Sequence, residues 1–218
     1  MNYLLVKDVI DLVQQFDIQN ERSKSYETSV EGFKEWISST TKTISIELDW
    51  EGKENGRSVD SVINTLIVHL NRYAKSYSKS AIFGSNFSTQ EDFTYLINLK
   101  AFGEMSKMDL IKKNVHEKPV GMQIINRLIN QGWIEQRNSK IDKRSKVISI
   151  SEAGLEALGN QMDKIRKATA IVTGNLSQNE KMELIRLLNK LDDFHRQIYN
   201  KNIDTENLLE EAFKNFNK

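Results

Sequence analysis

The chain has 218 residues, 39% hydrophobic and 28% charged, enough to bury a core and stay soluble, and it has no cysteine, which excludes disulfides, thiolate metal sites and thiol redox sensing. No apolar run approaches the roughly 18 residues of a membrane span, and the opening "MNYLLVKDVIDLVQQFD" carries acids where a secretory signal is basic, so a cytoplasmic protein is expected. The net charge of +1 hides an asymmetry: residues 1–60 carry 7 basic and 12 acidic groups, 61–104 carry 4 and 3, 105–150 carry 10 and 4, and 151–218 carry 10 and 11.

One proline and ten glycines leave long stretches suited to helices. Leu5, Val9, Leu12, Val13 and Phe16 recur at steps of three and four, which predicts an amphipathic helix near the N-terminus. A second short helix is expected around 28–39, with Val30, Phe33, Trp36 and Ile37 as its apolar face. The period then changes to two in "TISIELDW", where Ile44, Ile46, Leu48 and Trp50 alternate with polar residues, as in a strand or extended arm. "EGKENGR" closes that segment as a linker, and a long helix follows at about 58–83.

Ser88 or Thr89 offers an N-cap for a helix to about 101. Ser106 with Asp109 starts a short helix in the manner of a capping box, and Lys112 and Lys113 sit at its far end, where cations suit the helix dipole. "HEKPVGMQIINRLINQGWI" reads as the next helix, with Pro119 in the first turn and Gly132 at its end. Ile124, Ile125, Leu128 and Ile129 form its apolar side, and Lys118, Gln123, Asn126, Arg127 and Asn130 can face outward. Two helices joined by a tight turn, the second polar and basic outside, make a helix-turn-helix. Strand-like pieces at 133–137 and 146–150, around a polar tip, then read as a β-hairpin, a wing. Ser151 is the expected N-cap of another long helix, and "SQNE" at 177–180 a capping box for a helix to about 199 with Leu184, Leu187, Leu188, Leu191 and Ile198 on its face. The tail adds one short helix.

In this order the segments from about 58 to 199 resemble the MarR family of winged-helix regulators. "NRLINQGWIEQR" is similar to the family's end of the recognition helix, "DKR" at 142–144 to its Asp-x-Arg wing tip, and "ISISEAG" to its strand followed by Thr/Ser-Glu-x-Gly. The expected fold is mainly α with a small β-wing: a winged helix-turn-helix domain at 88–150, dimerisation helices at 58–87 and 151–199, an extension at 1–57 and a tail at 200–218. The resemblance implies a homodimer with interleaved end helices on a palindromic operator, and the long apolar-faced helices at both ends agree, since they need a partner to bury them. Three departures stand out: about 57 residues precede the long first helix, Trp133 replaces a common leucine, and Gln123 stands where the family often has Arg. The acidic balance of the extension argues against DNA contact and its apolar faces suit packing across the dimer.

Lys118, Gln123, Asn126 and Arg127 are the candidates for the major groove, because Gln, Asn and Arg each pair with base edges through two groups at once. The competing role for Arg127 is pairing with a carboxylate. Lys112, Lys113 and Arg137 are candidates for phosphates, where charge matters more than geometry. At the wing tip Arg144 is the expected minor-groove or backbone contact with Asp142 as its positioning partner, and Lys140, Lys143 and Lys146 add attraction. A small apolar or phenolic effector is implied by the resemblance, with His69, Arg72, Tyr73 and Tyr77 as candidate contacts, although aromatics at helical spacing more often pack than bind. His69, His116 and His195 are too widely spread for a metal box, and no nucleophile elbow, phosphate loop or paired carboxylates can be placed. No enzyme activity, metal or cofactor is therefore expected. Two readings remain: a regulator that binds double-stranded DNA, most plainly a repressor, and a winged-helix module whose basic face docks an acidic protein. Gln123, Asn126 and the "DKR" tip favour the first.

Overall fold

The computed structural model describes residues 3–43, 49–139 and 146–216, which form two compact units, residues 1–62 and 63–218. In the first, helices α1 (Tyr3–Ser23) and α2 (Val30–Thr43) form a hairpin. Phe16 and Trp36 are buried in it and share an aromatic cluster with Phe33, centroids 5.5 to 5.8 Å apart. Asn20 fixes the connection, donating to the carbonyl of Tyr26 at 2.8 Å and accepting from its N–H at 3.0 Å, while the Trp36 indole donates to Gln19 at 2.9 Å. Only the second half of α1 is covered: Leu5, Val9, Leu12 and Val13 remain exposed. The second helix runs to Thr43, beyond the expected 39 and into the first residue of the expected arm at 43–50; residues 44–48 of that arm lie outside the described residues, and its last two, Asp49 and Trp50, are in no strand. Trp50 closes a 3-10 turn (Lys53–Asn55) by donating to the Arg57 carbonyl at 2.9 Å.

Helix α3 (Val59–Ala81) leads into the second unit, which continues as α4 (Gln90–Phe102), α5 (Lys107–Lys113), α6 (Lys118–Asn130), β1 (Ile134–Asn138), β2 (Lys146–Ile150), α7 (Glu152–Val172), α8 (Gln178–Tyr199) and α9 (Thr205–Phe216). The two strands pair antiparallel from Ile134 opposite Ile150 to Asn138 opposite Lys146, and Met105 adds a bridge to Ile148 with backbone bonds of 2.9 and 3.2 Å. The core lies where α4, α5, α6, β2 and α7 meet: Tyr95, Leu96, Leu99, Leu110, Ile111, Ile125, Leu128, Ile148 and Leu158 are all buried to 1% exposure or less. At about 1.5–3 kcal/mol for each large aliphatic side chain removed from water, this cluster is the main driving force of the unit.

Local chemistry explains the element boundaries. The Ser106 hydroxyl accepts from the Asp109 N–H at 3.1 Å and starts α5, but the short Asp109 carboxylate meets the Ser106 hydroxyl, at 2.7 Å, rather than reaching back to its backbone. Gly121 lets α6 approach α5 closely, since a Cβ there would overlap the Ile111 side chain. Gly132, at φ 73°, turns the chain out of α6. The first strand starts one residue later than expected because Trp133 is claimed by the core, its indole 4.8 Å from the Phe87 ring. Ser151 joins two elements at once, accepting from the Gly154 N–H at 3.0 Å to cap α7 and donating to the Gly132 carbonyl at 2.6 Å.

Large apolar side chains are exposed on α3, including Leu66, Ile67 and Leu70, and on α8, including Ile185, Leu187, Leu188 and Leu191. Among the described residues no helix is long and apolar enough to cross a membrane.

Candidate nucleic-acid interface

Helix α6 is two-faced. Gly121, Ile124, Ile125 and Leu128 are buried, whereas Lys118, Gln123, Asn126 and Asn130 are exposed. Gln123 and Asn126, one turn apart, have no side-chain partner among the described residues, so both amides face water with donors and acceptors free. Lys112 and Lys113 are exposed at the end of α5, with the Lys113 ammonium 3.5 Å from the centre of the Phe102 ring.

Arg127 is placed differently from the other α6 candidates. Its Nε donates to Asp92 Oδ1 at 3.0 Å, its Nη2 also reaches Asp92, and a longer contact of 3.4 Å runs to the Thr89 hydroxyl. Asp92 is fully buried and its second oxygen accepts from the backbone N–H groups of Ser88 at 2.7 Å and Thr89 at 3.2 Å. The carboxylate therefore caps α4 and clamps α6 onto it. A buried ion of this kind is tolerable only because every lone pair is used. Arg127 is thus committed to a carboxylate in this structure, the role set against base contact in the sequence. Arg137 on β1 is likewise committed, its Nε donating to Glu104 at 2.9 Å and its Nη2 closing a second contact. Lys146 is exposed at the start of β2. The wing-tip candidates Lys140, Asp142, Lys143 and Arg144 lie outside the described residues.

The turn between α5 and α6 is tied down from two sides. The His116 ring stacks on Tyr95, its Nδ1 is 2.8 Å from the Tyr95 hydroxyl and its Nε2 is 3.7 Å from Glu91. The Tyr199 hydroxyl, at the end of α8, donates to the His116 carbonyl at 2.6 Å. Burial first, and then the charge of Glu91 and the neighbouring Tyr199, push the Tyr95 phenol above its ordinary value, so it stays a neutral hydrogen-bonding group. Sequence reasoning missed Asp92, Tyr95 and Tyr199. Asp92, three residues after Thr89, was findable as a capping-box acid; the tyrosines show no local signal, because their partners are 21 and 83 residues away.

The effector candidates His69, Arg72, Tyr73 and Tyr77 are all exposed on α3. The His69 and Tyr73 rings are 6.4 Å apart, and Tyr77 lines a shallow recess of about 250 Å³ with Lys164, Lys167 and Ile171 of α7. Among the described residues no group of three or more His, Asp or Glu is placed to hold a metal.

No family model matches the sequence, and no curated protein does. Solved structures do match in fold. A probable transcriptional regulator from Pseudomonas aeruginosa is 22% identical, with a TM-score of 0.55 over 62% of this chain and 99% of its own. A MarR mutant from E. coli, complexed with operator DNA, is 19% identical with a TM-score of 0.55 over 62% and 99%. BpsR of Bordetella bronchiseptica, whose DNA binding is regulated by 6-hydroxynicotinic acid, is 18% identical with a TM-score of 0.57 over 63% and 97%. The chain has the MarR-like winged-helix fold, as the motifs in its sequence led one to expect.

Proposed function

We propose that the protein is a transcriptional regulator that binds double-stranded DNA sequence-specifically, as a homodimer on a palindromic operator, and that it acts as a repressor released by a small aromatic or apolar effector. The observation that carries this reading is the outer face of α6, where Gln123 and Asn126 present free amides beside Lys118 on a helix held rigidly by the Arg127–Asp92 clamp. Side-chain amides of this kind pair with adenine through two groups, and an acidic protein partner would have no need of them. Lys112, Lys113 and the basic wing supply attraction to phosphate, and Arg127 and Arg137 act from behind as positioning residues. The exposed apolar faces of α3 and α8 support pairing with a second copy. A bacterial, cytoplasmic setting and the absence of catalysis go with this reading.

The test is a titration of the purified protein against genomic fragments, including the region upstream of its own gene, at two salt concentrations with competitor DNA. A tight complex on one fragment, weakened by salt, is expected. Uniformly weak binding to every fragment would overturn the reading and favour docking of an acidic protein.

A further inference from the structure

The end of α8 and the first turns of α9 lie near α5 and the start of α6, and together they line an open cleft of about 610 Å³. That volume falls within the range of roughly 300–1,000 Å³ typical of small-molecule sites. Part of its lining is apolar: Ile111 and Ile198 are buried, and Met108, Leu208 and Ala212 join them, with Met108 and Leu208 exposed. Its charged lining is balanced in sign, with Lys112 and Lys118 against Glu117 and Asp204, and none of these four makes an ion pair with a described residue. Two cations and two carboxylates in one cleft with apolar side chains suit neither a polyanion nor a polycation. They suit a small zwitterion with an apolar body, its carboxylate toward the lysines and its ammonium toward the acids. We infer that this cleft binds an amino acid or dipeptide carrying a large apolar side chain.

The cleft is connected to the helix that faces DNA. Tyr199 and His116 both line it, and the bond from the Tyr199 hydroxyl to the His116 carbonyl crosses from α8 to the turn before α6. Val115, next in that turn, sits at φ 53°, a left-handed conformation that a β-branched residue adopts only when its surroundings impose it. A ligand that competes for Tyr199 loosens the turn and, with it, the start of α6. This consequence rests on the reading of the chain as a DNA-binding regulator; the site itself does not.

Calorimetric titration of the full-length protein, without DNA, separates the two. L-Phenylalanine is compared with 3-phenylpropionate, which lacks the ammonium, and phenethylamine, which lacks the carboxylate. L-Phenylalanine is expected to bind with a Kd below about 1 mM, and each analogue roughly tenfold more weakly. Glu117→Gln and Asp204→Asn should each weaken L-phenylalanine by about threefold or more while the melting curve is kept. Equal or tighter binding of either analogue, or no heat from any of the three, overturns the proposal. On DNA, saturating L-phenylalanine should change the affinity for the selected fragment by about fivefold or more, and Tyr199→Phe, itself titrated to saturation with L-phenylalanine, should reduce that change. Heat without any change on DNA overturns the coupling. Failure of the regulator reading shows separately, as unselective DNA binding in the absence of ligand.

Discussion

Gln123 and Asn126 contribute nothing visible to packing, whereas Arg127, one residue further along, holds two helices together. Their substitutions should therefore separate. Gln123→Ala and Asn126→Ala should each weaken the specific complex by about 1–3 kcal/mol and leave thermal melting unchanged. Arg127→Ala strands the Asp92 carboxylate in the core and should destabilise the fold by about 3 kcal/mol, read by chemical denaturation. The exposed amides were legible from residue type and helical phase. The partner of Arg127 was not, because it lies 35 residues away and only tertiary packing brings the two together. Tyr95 gives a test in pH. Its folded phenol titrates above the ordinary 10.0, so the stability it contributes is complete below pH 10 and is lost as the pH rises beyond it. Comparing denaturation at pH 9 and pH 11, Tyr95→Phe should lose less stability than the parent chain.

At the scale of the elements, caps and glycines account for most of the boundaries. Ser106, Ser151 and Ser177 were each expected to start a helix, and each accepts the backbone N–H three residues on. These signals are readable because they are local. Ser151→Ala should cost about 1–2 kcal/mol, measured by melting, since it removes a helix cap and also the bond to the Gly132 carbonyl. The first strand was displaced by one residue because burial of Trp133 outweighs its place in the alternating pattern. Gly121→Ala should separate α5 from α6 and reduce both stability and operator affinity. A change in melting without any change in affinity would show that the spacing of the two helices does not set the DNA-facing surface.

At the scale of the whole molecule, the charge block and the unpaired apolar faces dominate. If the basic groups of residues 105–150 meet phosphates, the logarithm of affinity falls with the logarithm of salt concentration at a slope of about −0.9 per contact, and neutralising Lys112 or Lys113 reduces that slope by about one contact each. The helical hairpin of residues 3–43 was legible as two amphipathic helices, but its purpose was not, because periodicity marks a face that must be covered and does not say by what. Our expectation is an intersubunit role. A chain beginning at residue 58 should be less dimeric at low concentration and melt at a lower temperature, and sedimentation showing an unchanged dimer would remove that role.

The two oxygens of Asp92 carry separate duties, one capping a helix and the other taking the guanidinium of Arg127. Asparagine can supply only one of those acceptors, and glutamate would carry its carboxylate past both partners. Tolerance at this position is accordingly narrow, although the side chain is fully buried. If the proposed function holds, a saturation screen scored by loss of DNA binding would rank residue 92 beside Gln123 and Asn126, and the hits would trace the chain of support behind the outer face of α6 as well as that face itself.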